Sequence, residues 1–125
     1  SMDDEAIELG KRLAGAASID PLTGLITRVE FERQVAAYQL NGTVFSILTF
    51  GIGGPVGDQV MQQAASRLTT EFRRRDRVGR WGKNEFAVLF AGPPAKADER
   101  AVEVAARLAG PSGHPHHPAT QGLQA

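Results

Sequence analysis

The sequence predicts an α/β-class domain, specifically an α+β sandwich in which helices flank a mixed sheet that is shortened at its C-terminal end. Three observations carry this expectation. Thr43 to Phe50 is dense in β-branched and aromatic residues with almost nothing polar, the composition of a central strand buried on both faces. Val78–Trp81 and Phe86–Phe90 are short apolar runs joined through Gly82-Lys83-Asn84-Glu85, where Gly and Asn suit a tight hairpin. Segments of helical period precede, separate and follow these strands, so helices must bury their apolar stripes on a sheet.

The elements follow in order. Ala6, Leu9, Leu13 and Ala16 recur at spacings of three and four within Asp3–Ala17, an amphipathic helix that packs on the domain or makes a weak dimer contact. Asp20-Pro21 punctuates the chain, because Pro21 disfavours helix at Asp20. A helix from Val29 to Leu40 shows Phe31, Val35 and Tyr38 on one face and ends at Asn41-Gly42, a left-handed stop. After the first strand and a Gly-rich turn, Asp58 opens a helix with Met61, Ala64, Ala65, Leu68 and Phe72 in period, closing on Arg73-Arg74-Arg75. Cations there complement the helix dipole. Following the hairpin, Gly92-Pro93-Pro94 breaks the chain. A last helix from Lys96 to Ala109 turns Ala101, Val104, Ala105 and Leu108 inward. Pro111–Ala125 is rich in Pro, Gly, His and Gln; it is expected to be a disordered tail with no strand. The domain organisation is therefore residues 1–19 as N-terminal helix and linker, 20–110 as the domain, and 111–125 as tail.

The chain's 125 residues suffice for one core. Fourteen basic and fourteen acidic side chains cancel, so no bulk attraction draws nucleic acid or an anionic membrane, and neither is an expected partner. The absence of cysteine excludes a disulfide framework and accords with a cytoplasmic location. No apolar run approaches the roughly 18 residues of a membrane span. His114, His116 and His117 lie close together, but without a carboxylate partner they make a poor metal site. No metal and no cofactor is expected.

Three segments together resemble the GGDEF family of bacterial diguanylate cyclases. Asp20-Pro21-Leu22-Thr23-Gly24-Leu25-Ile26-Thr27-Arg28 is similar to the family's opening D-x-L-T-G-L-x-N-R, with Thr27 in place of Asn. Gly57-Asp58 resembles its G-D-x-x-L, and Arg80-Trp81-Gly82-Lys83-Asn84-Glu85-Phe86 aligns with R-x-G-G-D-E-F. The resemblance implies a nucleotidyl-cyclase-like fold over residues 20 to about 109. It also implies a chemistry in which two facing domains join two GTP molecules, with carboxylates holding divalent cations.

Against that pattern the sequence departs at several positions. The family's D-x-D at the end of the first strand is Gly51-Ile52-Gly53 here, and the hairpin carboxylate is Asn84, a neutral and poor partner for magnesium. Lys83 replaces a glycine that admits phosphates, and the family's F-K-x-x-N-D stretch has no counterpart between Gly53 and Gly57. Asp58 remains, either to read guanine as in the family or to cap its helix. The expectation is thus a degenerate GGDEF domain that is not an enzyme and has no catalytic residue. Asp58, Gly82, Lys83, Asn84, Glu85 and Phe86 would be remnants of its active site.

One further family feature is present. Arg73-Arg74-Arg75-Asp76 fits the R-x-x-D of the family's product-binding inhibitory site, and five residues separate Asp76 from Gly82, as in the family. The resemblance implies that Arg73 grips a phosphate or guanine of cyclic di-GMP and that Asp76 accepts from guanine, with Arg107 as the added arginine. The other reading is a solvated pair that only stabilises the helix end. The expected function is a cyclic di-GMP receptor in signal transduction; the alternative is a nucleotide-independent interaction or dimerisation module. A protein partner or self-association accords with both.

Overall fold

Thr27 sets the start of the first helix: its side-chain oxygen accepts from the Glu30 amide at 3.3 Å while its hydroxyl donates to the Ala17 carbonyl at 2.8 Å. This N-cap satisfies an amide that has no partner within the helix. Helix α1 (Arg28–Asn41) ends at Gly42, whose φ of 68° is left-handed and whose amide bonds back to the Gln39 carbonyl at 3.3 Å. The computed structural model describes residue 4, residues 17–109 and residues 119–123. The helix expected over residues 3–17 therefore lies almost wholly outside the described residues, as do His114, His116 and His117.

The remaining elements are β1 (Phe45–Gly51), α2 (Asp58–Glu71), β2 (Arg77–Gly82), β3 (Glu85–Phe90), α3 (Pro94–Ala109) and β4 (Ala119–Leu123). Each element from α1 to α3 lies within a few residues of its expected place. Helix α2, however, stops before the arginines. Phe72 adopts an extended backbone, φ −104° and ψ 157°, and its ring sits edge-on to Phe50 at 6.0 Å. Burying that ring turns the chain out of the helix, so Arg73–Arg75 stand in the turn before β2 rather than at a helix C-terminus.

The strands run in the order β2-β3-β1-β4. All the neighbours pair antiparallel, with Leu48 opposite Val88 and Phe50 opposite Phe86. A mixed sheet was the expectation, because a helix between strands implies a parallel crossover. The crossover does occur, but β3 comes to lie between β1 and β2, so the two strands it links are not neighbours. The fold is α+β, with helices packed on both faces of this sheet.

A second correction concerns the end of the chain. No strand was expected after the last helix, yet Ala119–Leu123 pairs with β1 from Phe45↔Leu123 to Thr49↔Ala119. Ladder hydrogen bonds are made by backbone, so the free edge of β1 accepts a segment whose side chains carry no strand signal.

Alternation along the two central strands divides the core. Leu48, Phe50, Phe86, Val88 and Phe90 face α2 and α3, meeting Met61, Leu68, Ala101 and Val104. Phe45, Ala87 and Leu89 face α1, meeting Phe31 with Val35 and Tyr38 beside it. Phe31 is fully buried, which is worth about 1.5–3 kcal/mol. Where the opening loop crosses β2, Ile26 bridges Gly79. A Cβ on Gly79 would stand 3.0 Å from the Phe31 ring and 3.3 Å from the Ile26 carbonyl, so a side chain there would need the ring and the loop to give way by a few tenths of an ångström.

Candidate functional site

The hairpin is held from behind. Arg80 donates through Nε to the Gly82 carbonyl at 3.3 Å and through Nη2 to the Lys83 carbonyl at 3.0 Å. Its Nη1 meets Asp20, with 3.3 Å to Oδ2. Asp20 in turn accepts from the Thr23 amide at 2.9 Å and the Thr23 hydroxyl at 2.7 Å. Burial pushes the Asp20 carboxyl up, but the two Thr23 bonds and the Arg80 guanidinium outweigh it and hold the group below its ordinary value. The opening motif and the hairpin motif are thereby one structural unit.

At the hairpin itself, Lys83 and Asn84 form the turn with negative φ, since no residue other than glycine has a positive φ among those described. A bulge between Arg80 and Gly82 supplies the twist that a positive-φ turn would otherwise give. The Asn84 side-chain amide donates to the Gly54 carbonyl at 3.0 Å, and the Asn84 backbone carbonyl accepts from the Ile52 amide at 2.9 Å. Glu85 is exposed beside Gly82, while Phe86 is buried in the core. Trp81 is half-buried, edge-on to Phe31 at 5.6 Å with the Arg28 guanidinium 4.0 Å from its ring centroid.

Asp58 is the first residue of α2 and is exposed; Gly57 is the N-cap and no side chain caps this helix. The capping role is therefore not the one it plays. Among the described residues no three His, Asp or Glu side chains converge as metal ligands. Glu85 is the single carboxylate in the hairpin, and Asn84 is neutral, its side-chain nitrogen given to the Gly54 carbonyl. This donor set does not fit the hard, charged oxygens that magnesium favours, so no chemical step is derived through a metal here.

The Arg73–Asp76 pair is built more tightly. Asp76 is buried, its side chain 1% exposed, immediately before β2. Its Oδ2 accepts from the Arg73 amide at 3.1 Å and from Arg73 Nε at 3.2 Å. Its Oδ1 accepts from Arg73 Nη2 at 3.4 Å and from the Ala91 amide at 2.8 Å. Nη2 also donates to the Ala91 carbonyl at 3.2 Å, and the guanidinium lies 4.7 Å from the Phe90 ring centroid. Nη1 makes no hydrogen bond among the described residues, so the arginine is fixed with one end of its fork unspent. It borders a cleft of about 640 Å³ shared with Phe90, Lys96, Glu99, Arg100 and Glu103.

Arg107 does not join this cleft. It pairs with Glu71 Oε2 and borders a separate cavity of about 430 Å³ with Phe50, Arg67 and Phe86. The arginine that the fold brings beside Arg73 is Arg100, which also reaches Glu71 and donates to Glu103 at 2.9 Å. Arg100 and Arg107 are two helical turns apart on one face, about 10 Å along the axis.

The family model described as "Diguanylate cyclase, GGDEF domain" matches residues 44–124. Diguanylate cyclase TpbB of Pseudomonas aeruginosa is 32% identical over 100 residues, covering 69% of this chain and 23% of that protein. The chain thus spans about a quarter of the length of the curated relatives it matches. The GGDEF domain of FimX from Pseudomonas aeruginosa superposes with a TM-score of 0.75 at 21% identity, covering 87% of this chain and 82% of that one. The GGDEF domain of DgcB from Caulobacter crescentus, in complex with c-di-GMP, gives a TM-score of 0.65 at 20% identity, covering 84% and 75%.

These findings overturn one expectation. The chain was read as a non-enzyme from missing carboxylates, but the matching family and the curated relatives are diguanylate cyclases, which points to a cyclase. Magnesium sites draw on water and substrate phosphates as well as carboxylates, so missing side-chain ligands alone do not exclude the family's reaction.

Proposed function

Because the chain belongs to the GGDEF family of diguanylate cyclases, we propose that it works in cyclic di-GMP signalling and holds that dinucleotide at the Arg73 cleft. The observation that supports this most is the arginine's geometry. Asp76 and the Ala91 carbonyl engage Nε and Nη2, leaving Nη1 as a pre-oriented pair of donors at the cleft wall. A phosphate oxygen accepting there gains a charge-assisted bond without ordering the side chain first. Arg100 and Lys96 border the same space and add positive charge opposite a dianionic ligand. Cyclic di-GMP is the product of the family's reaction, so the site would sense product. Arg107 has no part in it.

Titration calorimetry with cyclic di-GMP tests the reading. Binding is expected in the micromolar range or tighter, and Arg73→Ala is expected to weaken it by about tenfold or more, as for loss of a charged hydrogen bond. A circular dichroism melt of the same variant verifies that it is folded. Silence from the unmodified chain at high ligand would sink the proposal and favour a protein-interaction role.

A further inference from the structure

The cavity beyond the end of β1 is built on aromatic ground. Phe50 and Phe86 stand opposite each other across the two strands, each no more than 2% exposed, and their rings line its inner side. Val60 and Ala64 of α2 and Leu108 of α3 add apolar walls around a space of about 430 Å³, the size of a small-molecule pocket. Gly51 lines it too, and a Cβ there would meet nothing within 4 Å, so the space is open at the strand's end.

Its charge is one-sided. Among the described residues no acidic side chain lines the cavity, whereas Arg67 and Arg107 both do. Glu71, one turn further along α2, is the natural partner of Arg67. That carboxylate is instead given to α3: its Oε2 pairs with Arg107 and lies 3.8 Å from Arg100 Nη2. Arg67 is exposed, and its side chain makes no ion pair or hydrogen bond among the described residues. Arg100 also pairs with Glu103, so three arginines share two glutamates and one positive charge is left at the rim.

We propose that this cavity binds a monoanionic aromatic carboxylate, with the ring against Phe50 and Phe86 and the carboxylate held by Arg67. A guanidinium fork matches a carboxylate with two parallel N–H···O bonds. Buried phenylalanine rings take an aromatic guest in offset or edge-to-face contact. An anion without an apolar body would leave that inner side uncovered and lose water from its own oxygens in exchange for one arginine. Arg107, already held by Glu71, adds positive field and not a second fork. The site is separate from the Arg73 cleft, and the inference does not rest on that cleft's reading.

Amide chemical-shift titration of the full chain with 2-naphthoate tests this. Saturable shifts are expected at Gly51, Ile52, Val60 and Ala64, with a Kd of about a millimolar or tighter. Arg67→Met, which keeps the apolar stem of a surface residue, should weaken binding by about tenfold, as for loss of a charged hydrogen bond. The neutral 2-naphthamide should bind the unmodified chain about tenfold more weakly than naphthoate and should not distinguish it from Arg67→Met. Ala64→Phe should fill the space and abolish the shifts, with a thermal melt verifying the fold. Arg73→Ala should leave naphthoate binding unchanged. Shifts that miss these four residues, equal binding of naphthoate and naphthamide, or an Arg67→Met variant that binds as before would each overturn the inference. So would naphthoate binding that depends on Arg73, which would place the anion in the other cleft.

Discussion

Gly79 shows how one absent side chain fixes a fold of this size. The opening loop, α1 and β2 meet at that residue, where a methyl group would crowd the Phe31 ring and the Ile26 carbonyl. Gly79→Ala is expected to destabilise the domain by about 1–3 kcal/mol, the usual cost of overpacking. The measurement is a lower urea midpoint at an unchanged slope. Asp76 makes the complementary point. Its identity was legible as half of a motif, but its burial and its four donors were not, because they come from segments that meet only in the fold.

Among the elements, α1 depends on its first residue. Thr27 departs from the family's Asn, yet it supplies the same kind of acceptor to the Glu30 amide and ties back to Ala17. Thr27→Ala should lower stability by about 1 kcal/mol, whereas Thr27→Asn should retain it, because Asn caps at least as well. Thermal melts of the two variants check this. Helix α2 obeys a different control. Its end is set by Phe72 entering the core and not by the arginine run that follows, so the cations stand in the turn before β2. In α3 the inward positions Ala101, Val104 and Ala105 were legible from period alone, since all three are buried. Which of its arginines stands beside Arg73 was not, because period fixes a face and leaves the height along it open.

For the whole molecule, the Asp20–Arg80 pair joins segments sixty residues apart in sequence. The Asp20 carboxyl is held below its ordinary value of 3.8. A group lowered in the folded state contributes stability that is fully present above the unfolded value and lost as pH falls through the folded one. Acid unfolding should therefore steepen below about pH 3.8, and Asp20→Asn should flatten that part of the profile while lowering stability at neutral pH. Chemical denaturation between pH 2 and 7 reads both effects. An unchanged acid limb would show that the link between the opening loop and the hairpin does not bear on folding.

The sequence by itself determined the element types, the two-faced central strand, the hairpin and the family, because hydrophobic period and short motifs are local properties of the chain. Only the tertiary structure decided that β3 enters between β1 and β2, that Ala119–Leu123 joins the sheet, that α2 stops at Phe72, and that Arg100 rather than Arg107 shares the cleft with Arg73. Each of these depends on which segments meet across long stretches of chain. Backbone pairing and space-filling settle such meetings, and neither leaves a pattern in neighbouring residues.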